Sequence, residues 1–374
     1  MTSDNLKNKF HFLLLRVMSL QDLPYELLNY TLKKVRFNPL LALRQTSVDC
    51  RNVATVALAN QKLQFTCPPG ISKVSKSLYY CSQRTNWLDV PFVTTATKLE
   101  IYSYSDFLMV ENSLHGVTHL TLENCNQLTN VSALGNLHTL DLAECNRIVD
   151  VSALGKLHTL GLSSCRRVVD VSALGNLHTL DLLSTGVVDV SALGNVHTLD
   201  LSWCKWITDV SALKNVHTLS LVGCTGLTNV SALGNVHTLG LSYCSGVIDV
   251  SALIQVHTLD LRCTGVVDVS ALGKIHSLEL RECHGVVNVS ALAGVHTLNL
   301  SQCSGVIDVS ALGEVVCLDL SECFGITDVS SLGGVKTLCL LGCFGITDVS
   351  ALGGVQNLNL INNLLGTSFQ KFCI

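Results

Sequence analysis

VSALGKLHTLGLSSCRRVVD, residues 151 to 170, is the stretch that decides the fold of this chain. Its opening motif, VS(A/S)L, occurs twelve times, starting at Val131, Val151, Val171, Val190, Val210, Val230, Val250, Val269, Val289, Val309, Val329 and Val349. The period is 20 residues and shortens to 19 before Val190 and before Val269. A fixed period of this size is typical of a solenoid, in which units too small to bury their own apolar face stack on one another.

The residues inside one period predict the shape of a single coil. The alternation of Leu160 and Leu162 is that of a half-buried strand. The interior of the closed coil is also expected to contain valine and leucine side chains from the rest of the period, such as Val151, Leu154 and Val168. Each coil therefore contributes one strand, and we expect the strands to stack as a parallel sheet at about 4.8 Å per coil.

The spacing L-x-x-L-x-L-x-x-C-x-x-V/I resembles the leucine-rich repeat family, with Cys165 where many members carry asparagine. The resemblance implies a repeat solenoid shaped as a horseshoe or arc, with a parallel β-sheet on one face and short turns or 3-10 segments on the other. The run Thr327 to Ser330 resembles the turn of short internalin-like bacterial repeats. The C-x-x-I-T-D run resembles the cysteine-containing repeats of F-box proteins.

The array is predicted to cover residues 88–366 in fourteen coils, of which the first two are degenerate. Their strand leucines are Leu99, Leu120, Leu140, Leu160, Leu180, Leu199, Leu219, Leu239, Leu259, Leu278, Leu298, Leu318, Leu338 and Leu358. Irregular terminal coils are expected as caps. In the tail, residues 367–374, Phe369 and Phe372 are expected to cover the open end of the last coil.

Composition excludes several classes of function. A net charge of −4 without a long basic run argues against nucleic acid as a partner. No run of 18 uninterrupted apolar residues exists, so we predict no membrane span and no membrane partner. The short apolar run from Phe10 to Leu15 contains His11 and is a poor secretory signal.

Eleven of the 17 cysteines are assigned to one repeat position: Cys125, Cys145, Cys165, Cys204, Cys224, Cys244, Cys263, Cys283, Cys303, Cys323 and Cys343. A thiol tolerates burial and is a weak donor, so this column is expected to turn inward. Such a column is typical of a reduced protein, and we expect a cytoplasmic or nuclear location. The alternative, a metal held along the column, lacks the C-x-x-C spacing of a zinc site.

Two further columns are assigned structural roles. Histidines from His138 to His296 precede each strand and are interpreted as surface residues, with a metal-binding or pH-responsive ridge as the alternative. Asp or Asn residues such as Asp170 and Asn229 precede the V-S-A-L motif, where they are expected to accept backbone N–H bonds and start a helical turn. No catalytic residue, metal or cofactor is predicted, and the chain is not expected to be an enzyme.

A different pattern occupies residues 18–60, between an N-terminal extension, 1–17, and a linker, 61–87. Asp22 and Pro24 predict a helix start, and Pro39 begins a second helix. The order of leucines here resembles an F-box, a small α-helical domain that docks on the Skp1 adaptor of a cullin-RING ubiquitin ligase. The residues that the resemblance assigns to Skp1 binding are Leu23, Pro24, Glu26, Leu27, Leu28, Leu32, Leu40 and Leu41.

This F-box-like segment departs from the family pattern at Cys50, where an aromatic residue is usual, and at Asn38 and Pro39, where an acidic residue is common. The alternative is a helical cap on the solenoid. An F-box followed by leucine-rich repeats is itself a known family plan. The resemblance therefore implies the substrate-recognition subunit of a Skp1-cullin-F-box ubiquitin ligase, and the alternative is a non-catalytic protein-binding scaffold or inhibitor without a ligase link.

The substrate, an unknown protein, is expected to contact the strand face and the residues just beyond it. The position between the two strand leucines holds acids and no bases, which favours a basic segment in the partner. Large aromatics where neighbouring coils have Gly or Ser are typical interface anchors, although an exposed tryptophan can also be tolerated drift. The predicted contact residues are Asp181, Asp200, Trp203, Trp206, Tyr243, Asp260 and Arg281.

Overall fold

A computed structural model describes residues 78–79, 98–101, 107, 114, 116–360 and 369–370. The predicted F-box-like segment, 18–60, and the extension before it lie outside the described residues, as does most of the linker. The chain divides into two units, Met1–Leu99 with Met109–Val117 and Glu100–Leu108 with Thr118–Ile374. The repeat array from Thr118 onward belongs to the second unit, and it carries the features that bear on function.

Each predicted coil contributes one short strand, and all fourteen predicted strand leucines lie in strands. The strands are β1 Leu78–Tyr79, β2 Lys98–Ile101, β3 His119–Leu122, β4 Thr139–Asp141, β5 Thr159–Gly161, β6 Thr179–Asp181, β7 Thr198–Asp200, β8 Thr218–Ser220, β9 Thr238–Gly240, β10 Thr258–Asp260, β11 Ser277–Glu279, β12 Thr297–Asn299, β13 Cys317–Asp319, β14 Thr337–Cys339, β15 Asn357–Leu360 and β16 Phe369–Gln370. The prediction that the two degenerate coils also contain strands is confirmed by β2 and β3.

Strands β3 to β15 form one parallel sheet in which each strand pairs with its neighbours in the chain. The register aligns identical repeat positions, so that Leu140 faces Leu160 and Leu160 faces Leu180. This alignment follows from the fixed period, because a slip of one residue would turn every leucine to the opposite face of the sheet. After the last coil, β16 pairs antiparallel with β15. Phe372, the second residue expected to cover the open end, lies outside the described residues, so that expectation stays a prediction.

The V-S-A-L motif forms a single 3-10 turn in most coils, which confirms the predicted helical turn. These segments are Ser132–Leu134, Ser152–Leu154, Ser172–Leu174, Ser191–Leu193, Ser211–Asn215, Ser231–Leu233, Ser270–Leu272, Ser290–Gly294, Ser310–Glu314, Ser330–Gly334 and Ser350–Gly354. The predicted caps are confirmed as well, since Asp170 Oδ1 accepts the Ser172 N–H at 3.0 Å and Asn229 Oδ1 accepts the Ser231 N–H at 3.0 Å. The hydrogen bond from the Ser172 backbone lowers the pKa of the Asp170 carboxyl below its ordinary value, so this cap is charged at neutral pH.

The interior of the coils is built from the leucine and valine columns and from buried cysteines. Cys165 Sγ donates to the Leu142 carbonyl of the preceding coil at 3.1 Å, and the equivalent thiols repeat this contact. Burial raises the pKa of Cys165 to about 11, so the thiolate is strongly disfavoured at neutral pH. The column therefore acts as packing and as a weak hydrogen-bond ladder between coils.

The assignment of Cys263 to this column is wrong. Cys263 lies one position earlier, half-buried and with a left-handed φ of 57°, and Thr264 occupies the column instead. Both 19-residue coils place a threonine there, and Thr185 Oγ1 and Thr264 Oγ1 donate to their own coil's leucine carbonyls at 2.8 and 2.7 Å. A hydroxyl thus satisfies the inward position wherever the coil is one residue shorter. With this correction, the structure has the predicted leucine-rich repeat solenoid fold.

Candidate functional site

The outward position on the strands presents carboxylates that also shape the following turn. Asp181 and Asp200 are half-buried and face each other across β6 and β7. Asp181 Oδ1 accepts the Leu183 N–H at 2.9 Å, and Asp200 Oδ1 accepts the Ser202 N–H at 2.8 Å. Neither carboxylate forms an ion pair with another described residue. The two aspartates therefore present an uncompensated negative charge on the sheet face.

Asp260, the third predicted acid, has a partner within its own coil. Arg262 Nη2 lies 2.6 Å from Asp260 Oδ2, and Arg262 Nε also donates to the same carboxylate. Burial alone would raise the pKa of Asp260, but the hydrogen bonds from Arg262 hold it below its ordinary value. This pair is close to neutral overall. Asp260 therefore attracts a basic partner less strongly than Asp181 and Asp200 do.

Arg281 is likewise engaged by its neighbours. Its Nε lies 3.2 Å from Glu282 Oε1 and 3.3 Å from Gln302 Oε1. Both partners lie in the turn beyond the strand face, and the arginine side chain is about half exposed. Arg281 therefore belongs to a polar, paired part of the surface four coils beyond Asp200 and one coil beyond Asp260.

Two of the predicted aromatic anchors come together, and a glycine makes this possible. Trp203 is 44% exposed and Tyr243 is 50% exposed, and their ring centroids are 6.2 Å apart although a whole coil separates them. In that intervening coil Gly223 occupies the same position with φ +71°, and a Cβ atom there would lie 2.7 Å from Trp203 Cε3. The indole therefore lies directly on the Gly223 backbone and reaches across it to Tyr243. We call Trp203, Gly223 and Tyr243 the aromatic tile.

The third predicted aromatic residue, Trp206, lies outside the aromatic tile. It is 70% exposed in the turn after Cys204, at a position where the following coils carry glycine, and it makes no ring contact with another described residue. The role of Gly223 was missed at the sequence level. The pattern that could have predicted this role is that Gly223 lies one period after Trp203 and one period before Tyr243.

The histidine column forms a continuous stack on the surface that the sequence did not predict. Neighbouring imidazoles have centroids 4.5 to 4.7 Å apart and are close to parallel. In every case except His276, which precedes Ser277, Nδ1 lies 3.2 or 3.3 Å from the Oγ1 of the threonine that follows the histidine. We call this the histidine ladder, formed by His138, His158, His178, His197, His217, His237, His257, His276 and His296. Within the part of the chain that the structure describes, no three potential ligands from His, Cys, Asp and Glu are grouped to hold a metal.

We expect the histidine ladder to make the folded array less stable as the pH falls from 7.5 to 5. Partial loss of hydration, followed by repulsion from the neighbouring imidazoles, lowers the pKa of His158, His197 and His257. A histidine whose pKa is lower in the folded state than in the unfolded chain binds fewer protons when folded. Its stabilising contribution is complete above the unfolded pKa of about 6.5 and is lost below it.

This expectation can be tested by measuring Tm across that pH range for the wild type and for a His158→Gln, His197→Gln, His257→Gln variant. Glutamine is a matched replacement because Gln356 already occupies the column in the last coil. The variant should lose less Tm between pH 7.5 and 5. The aspartate caps are identical in the two proteins, so any stability that they lose as the pH falls toward the unfolded carboxyl pKa of about 3.9 cancels in the comparison. Parallel Tm curves for the two proteins would contradict the expectation.

The solved structures to which this chain is similar share little sequence with it. No family model matches the chain, and no curated protein matches its sequence. Among solved structures, the internalin inlF from Listeria monocytogenes is 21% identical with a TM-score of 0.49, over 67% of this chain and 89% of that one. The functional domain of InlJ from Listeria monocytogenes, which includes a cysteine ladder, is 21% identical with a TM-score of 0.42, over 70% and 71%. A leucine-rich repeat protein of Leptospira interrogans is 14% identical with a TM-score of 0.41, over 70% and 93%.

The described residues contain no helix of the length and apolar character needed to cross a bilayer.

Proposed function

We propose that this chain is a non-catalytic protein-binding receptor whose partner docks on the aromatic tile and on the adjacent carboxylates. The observation that carries the proposal is the tile itself. Two large aromatic side chains lie half exposed and in mutual contact over Gly223, so their positions are held before a partner arrives. Rigid aromatic anchors of this kind lose little conformational entropy on binding and dominate many interfaces.

The charges beside the tile specify the kind of partner. Asp200 and Trp203 belong to the same coil, and Asp181 lies one coil earlier. The patch from β6 to β9 spans three strand spacings, or about 14 Å. We infer that a basic segment of the partner meets the two unpaired aspartates while an apolar side chain packs on the tile. Electrostatic contacts of this type favour encounter and specificity, and they weaken as salt rises above about 0.15 M.

The finer proposal is that the receptor serves a Skp1-cullin-F-box ubiquitin ligase as its substrate-recognition subunit. It is supported by the resemblance of residues 18–60 to an F-box followed by leucine-rich repeats. In this scheme the leucines of that segment, including Leu27 and Leu28, bind a Skp1-like adaptor in the cytoplasm or nucleus. A protein-binding scaffold or inhibitor without a ligase link is the alternative, and it keeps the same partner face.

Affinity purification with the full chain tests both levels. Apart from Skp1 and proteins bound through it, a Trp203→Ala, Tyr243→Ala variant should lose the partner proteins that mass spectrometry identifies with the wild type. The matched control is Phe324→Ala, Phe344→Ala, which removes a second exposed ring pair, also with centroids 6.2 Å apart, elsewhere on the surface. Partners retained by the tile variant, or lost equally from both variants, would contradict the proposed face.

The ligase link has its own arm in the same experiment, with purified Skp1 as the probe. Leu27→Asp should abolish Skp1 capture, because a carboxylate buried at an apolar contact without a partner costs several kcal/mol, on the order of 2 to 5. The tile variant should capture Skp1 normally. If wild type and Leu27→Asp behave alike, the chain is a scaffold without this ligase link.

A further inference from the structure

A second candidate interface lies on the turns, away from the aromatic tile. In four consecutive coils an aliphatic residue just before the cap position points into solvent, and these residues are 55 to 61% exposed: Ile248, Val267, Val287 and Ile307. The fold does not require aliphatic side chains here, because equivalent positions in other coils carry Thr208, Thr228, Thr327 and Thr347. The unbroken aliphatic run is therefore not explained by the packing of the coils.

Each side chain of this run packs against a glycine of the next coil. A Cβ atom at Gly285 would lie 2.8 Å from Val267 Cγ2, and one at Gly325 would lie 3.0 Å from Ile307 Cγ1. Each aliphatic side chain therefore rests on the backbone of the following coil with no side chain beside it. The result is a continuous apolar ledge, formed by Ile248, Val267, Val287 and Ile307, that spans three coil spacings, or about 14 Å.

One side of the ledge is lined by carboxylates. Asp249, Asp268 and Asp308 follow the aliphatic residues directly, and each accepts the N–H of the serine two residues later at 2.9 Å. Hydrogen bonds from the side chain and the backbone of that serine lower the pKa of each carboxyl, so the row is charged at neutral pH. None of the three forms an ion pair with a described lysine or arginine. The ledge thus combines apolar surface with negative charge that has no counterpart nearby.

An earlier aliphatic run, Val149, Val169 and Val188, differs in its charge. The turns beside it carry Arg147, Arg166 and Arg167, whereas the turns beside the ledge carry Ser245, Gly265, His284 and Ser304. The earlier run is also followed by carboxylates, Asp150, Asp170 and Asp189, so its three arginines bring it close to neutrality. A positively charged partner is therefore attracted more strongly to the ledge than to the earlier run. This contrast selects both the location and the charge of the occupant.

We propose that the apolar ledge binds a basic amphipathic helix of a partner protein. The ledge presents methyl groups and carboxylates. A partner therefore binds it through side chains, and not by pairing the backbone of a strand edge. A helix of about three turns matches its 14 Å length and presents an apolar stripe flanked by lysine or arginine. This interface is separate from the face assigned above to the main partner, and either proposal can fail without the other.

The test uses the full chain and a fluorescein-labelled synthetic peptide of 15 residues, with leucines at helix positions i, i+3, i+4 and i+7 and lysines on both flanks. Anisotropy titration should show saturable binding. A peptide with glutamate in place of lysine, and a peptide of the same composition in scrambled order, should each bind at least about tenfold more weakly. Absence of binding by the lysine peptide, or equal binding of the scrambled peptide, would overturn the proposal.

Three variants use only residues that the array already tolerates. The first, Ile248→Thr, Val267→Thr, Val287→Thr, Ile307→Thr, removes the apolar surface. The second, Asp249→Asn, Asp268→Asn, Asp308→Asn, removes the charge and keeps the cap, since Asn288 and Asn229 already serve as caps. The third, Asp181→Asn, Asp200→Asn, Asp319→Asn, removes the same charge from the sheet face. The first two variants should weaken peptide binding about tenfold or more, and the third should weaken it less than twofold. If the second and third variants weaken binding equally, the peptide responds only to the net charge of the protein, and the proposal is overturned.

Discussion

Gly223→Ala should push the Trp203 indole away from its floor and break its ring contact with Tyr243. The new Cβ would lie 2.7 and 2.8 Å from two carbons of the indole, closer than a Cβ atom approaches other atoms in folded proteins, and 3.1 Å from a third. Gly223 also has φ +71°, a left-handed conformation that costs an L-residue about 1 to 2 kcal/mol. The variant therefore combines backbone strain with displacement of a side chain that the proposed partner needs.

A matched control separates the two effects. Gly342 lies in the same repeat position with φ +72°, but a Cβ there would first meet Glu322 Cγ at 3.1 Å, part of a flexible side chain. Gly342→Ala should therefore show the strain without disturbing the aromatic tile. In a Trp87→Phe, Trp206→Phe background, which leaves Trp203 as the single tryptophan, Gly223→Ala should red-shift the emission and increase acrylamide quenching. An unchanged spectrum in Gly223→Ala would mean that the indole does not rest on this glycine.

The repeat period was sufficient to predict the strands, the parallel register and the inward columns, because each depends on residues within one coil or exactly one period apart. Leu160 and Leu162 define a strand by alternation, and Asp170 defines a cap by its position before the motif. The misassignment of Cys263 shows where this reasoning fails. A coil of 19 residues shifts the alignment of the repeat by one position. The inward position is therefore identified better by its distance from the strand leucine than by the presence of a cysteine.

Contacts between particular side chains could not be predicted in the same way. The reach of Trp203 across Gly223 depends on the rotamers of two aromatic residues 40 positions apart in sequence. The pairing of Asp260 with Arg262 depends on how one long side chain folds back on its own strand. The sequence identified Trp203, Tyr243 and Asp200 as candidates, but it did not show which would meet. The sequence could thus place the candidate face only within a set of coils. Which side chains contact one another on that face could be seen only in the structure.

Leu239→Ala in the middle of the array should cost about 2 to 5 kcal/mol of unfolding free energy. Leu239 is 1% exposed and pairs in register with Leu219 on one side and Leu259 on the other, so truncation leaves a cavity between two packed coils. In a solenoid each coil is stabilised mainly by its two neighbours. A weak central coil therefore loses two interfaces at once.

The control is Leu358→Ala, at the same repeat position in the last coil. Leu358 is only half-buried and has a parallel strand on one side alone, so its truncation should cost less than half as much. Urea unfolding followed by circular dichroism measures both. If the array unfolds as one cooperative unit, Leu239→Ala lowers the midpoint and leaves the slope unchanged. If the central defect uncouples the two halves, the transition divides into two steps, because the coils on each side then lack a common interface. Equal losses for Leu239→Ala and Leu358→Ala would contradict the nearest-neighbour account of stability in this array.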